Sequence, residues 1–154
     1  MKSTFQMIAA AVCAVALVAC GGGGGDSSTS SPAAGVQPPT ALKIEDQVIG
    51  TGAEAATGKT ASVRYTGYLF DGSRSDLRGT KFDSNVGTGS LFSFVVNANP
   101  LQVISGFNSG VLGMKVGGKR VVTIPPSLGY GASGFSSIPG NATLIFEIEL
   151  VAVN

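Results

Sequence analysis

The chain has 154 residues, a formal net charge of +1, no histidine and only two cysteines, both within the first 20 positions. The lack of histidine excludes chemistry that needs an imidazole base, and the small net charge without a basic block argues against nucleic acid as a partner. We predict no metal site and no cofactor. If the protein is an enzyme, its site must act through shape, exclusion of water and a few hydrogen bonds.

Residues 1–19 have the pattern of a lipoprotein signal peptide. Lys2 supplies a positive charge, and the 12-residue apolar run Ile8–Ala19 is shorter than the about 20 residues that span a bilayer. The run ends in the sequence LVAC, which resembles a bacterial lipobox, so we expect Cys20 to carry lipid and to begin the mature chain. An ordinary signal peptide with an incidental thiol at Cys20 is the alternative.

The residue after Cys20 indicates in which membrane the lipoprotein would be anchored. Gly21 stands where an aspartate would favour retention in the inner membrane. We therefore expect a lipoprotein in the cell envelope of a Gram-negative bacterium, anchored in the outer-membrane bilayer, with its domain periplasmic or surface-exposed. Residues 20–40 are rich in glycine, serine and proline, which predicts a disordered tether with a root-mean-square span of roughly 25 Å.

Residues 41–154 are enough for one domain with its own core. Recurrent glycines and short apolar segments favour a sheet-rich fold. Four strands are predicted, at Thr60–Leu69, Leu91–Val96, Lys119–Ile124 and Ala142–Val153. In the last of these, apolar residues alternate with a face that carries Glu147 and Glu149, which marks the side in contact with water.

A short helix is predicted between Gln102 and Leu112. Its apolar residues form one stripe, but Gly106 and Gly110 weaken it, so we expect about two turns that depend on tertiary contacts. The predicted fold is therefore α+β, a twisted antiparallel sheet of four to six strands curled around one short α-helix.

Several motifs occur in a characteristic order over residues 42–153. They are VRYTGYL at 63–69, KFDS at 81–84, VISGF at 103–107, LGYG at 128–131 and ATLIFEIEL at 142–150. Together they resemble the FKBP family of peptidyl-prolyl cis-trans isomerases. The resemblance implies a hydrophobic cleft between sheet and helix, with proline-containing peptides or unfolded proteins as substrates and macrolides of the tacrolimus and rapamycin type as inhibitors.

The resemblance also implies the residues of the cleft. The catalytic set would be Tyr65, Asp83, Tyr130 and Phe146. The substrate-binding set would be Phe82, Phe92, Val103, Ile104, Phe107 and Ile138, with Phe107 at the floor. Asp83 could instead serve as a turn cap. Four other apolar residues are expected in the core rather than the cleft: Phe94, Leu144, Ile148 and Leu150.

Three departures from the family pattern bear on substrate preference and inhibitor affinity more than on the fold, and two of them, the missing arginine and the short Phe135 loop, leave a binding module open as the alternative. Ser73–Thr80 is a polar insertion, expected at the surface and able to reach the cleft rim. Asn85–Ser90 lacks the arginine that would pair with Asp83, unless Arg74 or Arg78 takes that place. The loop that begins at Phe135 is one residue short. The leading interpretation is an isomerase that assists folding of envelope or secreted proteins; a binding or chaperone module with little turnover is the alternative.

Overall fold

The computed structural model describes residues 35–154. The predicted signal peptide, the predicted lipidation site Cys20 and residues 21–34 of the predicted tether lie outside the described residues. The described part contains six strands and one α-helix, in the order β1 Lys43–Val48, β2 Thr60–Phe70, β3 Arg78–Ser84, β4 Phe92–Val95, α1 Ser105–Val111, β5 Lys119–Ile124 and β6 Leu144–Val153.

All strand pairs are antiparallel, and the sheet runs β1-β5-β6-β2-β3. Strand β2 is long enough to take two partners along one edge, β4 beside its first residues and β3 beside its last. The four predicted strands are all present, and β1 and β3 bring the sheet to six. The predicted fold class is confirmed.

Strand β6 shows why the sheet has one dry face. Leu144, Ile148 and Leu150 are at most 2 % exposed, whereas Glu147 and Glu149 alternate with them and are partly exposed. Burial of each such aliphatic side chain contributes about 1.5–3 kcal/mol. The core placement predicted for these residues, and for Phe94, is confirmed.

Helix α1 has seven residues and packs on β5. Its glycines permit this approach, because a Cβ on Gly106 would lie 2.3 Å from Ile124 Cγ2 and a Cβ on Gly110 would lie 2.7 Å from Val122 Cγ2. Arg120 then satisfies the end of the helix, where Nη1 donates to the Gly110 carbonyl at 2.8 Å. Tertiary contacts thus offset the weak helix propensity of this segment.

The insertion is not placed at the cleft rim. Residues 78–80 belong to β3, and the side chains of Leu77 and Arg78 border a groove on the sheet face opposite to the helix. Arg78 Nη2 lies 2.7 Å from Glu147, and Arg74 Nε lies 3.6 Å from Asp71. Neither arginine therefore pairs with Asp83.

Candidate functional site

A hollow of about 170 Å³ opens between helix α1 and the dry face of the sheet. Nine of the ten residues predicted for the cleft line it, with Gln102 as a further member. The lining consists of Tyr65, Phe82, Asp83, Phe92, Gln102, Val103, Ile104, Phe107, Tyr130 and Phe146. The sequence motifs, which are far apart along the chain, therefore meet at one place in the fold.

Phe107 forms the floor of the hollow. Its side chain is 4 % exposed, and its ring meets Tyr65 and Phe146 edge to face, with ring centroids 5.8 Å and 5.1 Å apart. Phe92 contacts the same ring at 6.4 Å. Edge-to-face pairs of this kind contribute about 0.5–1.5 kcal/mol beyond burial. The floor and walls of the hollow thus form an aromatic cup.

Tyr65 and Asp83 form the polar pair at the mouth. The Tyr65 hydroxyl donates to Asp83 Oδ2 at 2.6 Å, and the Ser84 amide donates to the other carboxylate oxygen at 2.8 Å. Desolvation by burial raises the pKa of Tyr65, and the hydrogen bond to Asp83 and the negative charge of that residue raise it further. The phenol therefore stays protonated at neutral pH and remains a donor.

Tyr130 is the second phenol that lines the hollow. Its ring stacks on Phe135, with centroids 5.2 Å apart and planes inclined by 14°. Burial, and then the charge of Asp83, raise the pKa of Tyr130. Its hydroxyl is also protonated at neutral pH, and it is available to donate to a bound backbone carbonyl.

Asn85 supports the site without lining the hollow, and this role was not predicted from the sequence. Its Oδ1 accepts the Tyr65 amide proton at 2.7 Å, and its Nδ2 donates to the Val63 carbonyl at 3.0 Å. These bonds replace strand pairing in the gap between β3 and β4. Asparagine is common in loops for many local reasons, so the sequence alone did not single it out.

Two residues differ from the predicted cleft. Ile138 is 6 % exposed and packs in the hydrophobic core, as Phe107 and Phe146 do, but it is not among the residues that line the hollow. Its backbone pairs with Phe135 across a tight turn. Gln102 lines the hollow instead, and its Oε1 accepts the Val95 amide proton at 2.9 Å. A glutamine outside any motif gave no signal in the sequence.

The described residues hold no group of three or more potential metal ligands. Within residues 35–154, no cation lies within ion-pair distance of Asp83. No helix in this range has the length and apolar character needed to cross a membrane. The polar groups that line the hollow are two phenols, one carboxylate, the Gln102 amide and backbone groups.

The FKBP-type peptidyl-prolyl cis-trans isomerase family matches residues 52–151. An FK506-binding protein of Neisseria meningitidis serogroup A is 46 % identical over 114 residues, which cover 73 % of this chain and 96 % of that protein. The crystal structure of FkpA from Escherichia coli superposes with a TM-score of 0.63 and 34 % identity, over 79 % of this chain and 52 % of that one.

Other relatives are much longer. The matched region spans 23 % of FK506-binding protein 4 from Gibberella zeae, at 40 % identity over 79 % of this chain. Only the shared domain can therefore be compared with that protein. On the family match and the near-complete cover of the Neisseria relative, the chain belongs to the FKBP-type peptidyl-prolyl cis-trans isomerase family.

Proposed function

We propose that this protein catalyses cis-trans rotation about the peptide bond preceding proline, with the prolyl ring bound on Phe107. The observation that supports this most directly is the aromatic cup itself, because it combines a buried floor, apolar walls and two hydroxyl donors at its mouth. Membership in the isomerase family gives independent support.

The hollow offers a physical route to lower the barrier. Rotation costs about 18–20 kcal/mol because amide resonance is lost in the twisted state. The planar amide has a charge-separated character that water solvates well, whereas the twisted form is less polar along C–N. Transfer from water into the aromatic cup penalises the planar form more, which reduces the difference between the two states. No covalent intermediate and no proton abstraction is required.

Donors around the cup would hold the substrate backbone. The Tyr130 hydroxyl is one donor. The Ile104 amide is another, because Ile104 precedes helix α1 and the first amides of a helix have no partner within the helix. We assign Asp83 the role of orienting Tyr65 through their 2.6 Å hydrogen bond, which keeps that ring upright against the prolyl ring.

We also propose that macrolides of the tacrolimus and rapamycin type occupy the same hollow. Several relatives bear the name FK506-binding protein, and the aromatic floor that suits a prolyl ring suits another apolar ring of similar size. A competitive loss of isomerase activity on titration with such a macrolide would support this assignment, and simultaneous binding of peptide and macrolide would contradict it.

We propose further that the domain is anchored to a bacterial envelope membrane and assists the folding of envelope or secreted proteins. The support is the lysine, the apolar run and the LVAC sequence ending at Cys20. Growth with labelled palmitate should label the wild-type protein, and Cys20→Ser should abolish the label. An unlabelled wild-type protein would leave an ordinary signal peptide as the better interpretation.

A binding module with little turnover is the competing function. It is favoured because no cation among residues 35–154 lies within ion-pair distance of Asp83. Exchange spectroscopy on a proline peptide separates the two. We expect substoichiometric protein to broaden and exchange the cis and trans signals far faster than the uncatalysed tens to hundreds of seconds. A peptide that binds while its isomers still exchange at the solvent rate would establish the binding module.

A further inference from the structure

The first residues that the structure describes lie against the folded domain. Residues 35–39 are here called the strap. Three of them, Val36, Gln37 and Pro39, border a groove of about 260 Å³ together with Val121, Thr123 and Ile145. These three strand residues alternate with Val122, Ile124 and Phe146, which are buried on the other face. The strap therefore lies on the sheet face opposite to the hollow.

The strap is held by residues 71–77, here called the clasp. The Val36 amide donates to the Gly72 carbonyl at 2.9 Å. A Cβ on Gly72 would lie 2.0 Å from the Val36 oxygen and 3.0 Å from the Val36 carbonyl carbon, far inside contact distance. Glycine is thus required at position 72 by the close approach of the strap.

The clasp is stiffened by its own hydrogen bonds. The Asp71 amide donates to the Leu77 carbonyl at 2.8 Å, and the Ser73 amide donates to Asp71 Oδ1 at 3.0 Å. Arg74 adds an ion pair to the Asp71 carboxylate. These contacts hold the Gly72 carbonyl ready for the strap, so most of the insertion serves this loop and not the hollow.

The strap itself is suited to docking at low entropic cost. Pro38 and Pro39 border a second groove with Pro125 and Pro126. Proline restricts φ near −65° and so reduces the freedom that the unbound segment would lose. Val36 remains 57 % exposed, so the strap is attached by backbone contact and shape more than by burial.

We propose that the clasp fixes the point at which the tether leaves the domain, so that the hollow is turned away from the membrane and towards its substrates. Docking of the strap also shortens the full extension of the tether by roughly 18 Å, at about 3.5 Å per residue. The orientation rests on the lipid anchor proposed above, whereas the docking of the strap does not.

Hydrogen exchange tests the docking on the full chain in detergent. We expect the Val36 amide to exchange at least about tenfold more slowly than in an unstructured peptide. Gly72→Ala should remove this protection, whereas Ser75→Ala, a small change in the same clasp, should keep it. Free exchange in the wild type, or full protection in Gly72→Ala, would overturn the proposal.

Fluorescence on vesicles tests the orientation. A dye is attached either at Lys119→Cys, on the same sheet face as the strap, or at Leu101→Cys, beside the hollow. Its fluorescence is quenched by an acceptor on the lipid headgroups of the vesicle. We expect clearly stronger quenching of the dye at position 119 than at position 101. This difference in quenching should be lost in Gly72→Ala. It should also be lost in Val36→Pro, which removes the Val36 N–H donor without adding bulk to the clasp. Equal quenching in the wild type, or an unchanged difference in both variants, would refute the orientation.

Failure of this inference and failure of the proposed function are distinguishable. Exchange at Val36 reports the strap whether or not the protein turns over proline peptides. Conversely, the isomerase activity of Gly72→Ala towards a soluble peptide should stay within about twofold of wild type, because the strap does not touch the hollow. A large loss of activity in that variant would mean that the strap acts on the site and not on the tether.

Discussion

Asn85 holds Tyr65 in position through the backbone of the strand that carries it. The side-chain amide accepts from the Tyr65 N–H at 2.7 Å and donates to the Val63 carbonyl at 3.0 Å. It thereby substitutes for the missing strand residues between Ser84 and Phe92. The position of a ring at the mouth of the hollow thus depends on a side chain that does not line it.

Asn85→Ala should therefore impair both stability and the site. The change leaves the Tyr65 amide and the Val63 carbonyl without their partner, which costs about 1–3 kcal/mol in the free energy of unfolding. We expect kcat/KM to fall as well, because the Tyr65 ring loses its support. Urea unfolding and peptide isomerisation measure the two effects. Val86→Ala, in the same loop, is the control, and equal behaviour of both variants would contradict the role given to Asn85.

Asp83→Leu should lower turnover without unfolding the domain. The substitution removes the acceptor of the 2.6 Å bond from the Tyr65 hydroxyl, so the ring loses its orientation. Far-UV circular dichroism should remain that of wild type, because the Asp83 side chain is solvent-exposed. Asp76→Leu, an exposed carboxylate on the clasp, is the matched control. Wild-type turnover in Asp83→Leu would mean that the pair is not used in catalysis.

Tyr130→Phe should reduce kcat/KM by about tenfold, the equivalent of one hydrogen bond worth about 1.4 kcal/mol in the transition state. The ring stack on Phe135 is retained, so the fold should not change. Tyr68→Phe removes a phenol that does not line the hollow and should leave turnover unchanged. If both substitutions give the same activity, the Tyr130 hydroxyl does not contact the substrate.

Alkaline pH should destabilise the protein through Tyr65. Its folded-state pKa is raised by burial and by Asp83, so the folded state retains this proton more strongly than the unfolded chain, where a tyrosine titrates near pH 10. The corresponding stability is complete below about pH 10 and is lost as pH rises further. Unfolding free energies measured from pH 7 to 11 should fall less steeply for Tyr65→Phe than for wild type, with Tyr68→Phe as control. Parallel curves would contradict the assignment.

Gly106→Ala should destabilise the domain although alanine favours helix. The new Cβ would lie 2.3 Å from Ile124 Cγ2, and overpacking of this kind costs about 1–3 kcal/mol. Ser109→Ala, on the exposed side of α1, removes a hydroxyl without creating a clash and should be neutral or slightly stabilising. Thermal unfolding of both variants measures the contrast. A stabilised Gly106→Ala would show that helix propensity outweighs the approach to β5.

Local sequence patterns predicted much of this fold because they indicate which face of a helix or strand is buried. Alternation along Leu144–Val153 identified a strand with one buried face, and the stripe from Val103 to Val111 identified a two-turn helix. The motif order identified the family and gathered nine residues that do line one hollow. Their catalytic roles stay predictions, which the substitutions above address.

Local sequence patterns do not indicate which distant segments or side chains pair with each other. Strand β1 is exposed along its whole length and shows no alternation, so only its pairing with β5 identifies it. Ile138 was expected in the cleft but is not among the residues that line the hollow. Likewise, Arg78 pairs with Glu147 and not with Asp83, and the strap lies on the face opposite to the hollow.

One physical cause separates the features that the sequence predicted from those that it did not. Side-chain periodicity and turn chemistry depend on neighbours along the chain, so the sequence by itself determined four of the six strands, the helix, their buried faces and the family. Which carboxylate an arginine meets, or which carbonyl Val36 reaches, depends on long-range packing that brings Gly72 within 2.9 Å of a residue 36 positions earlier. Only the tertiary structure decided those contacts.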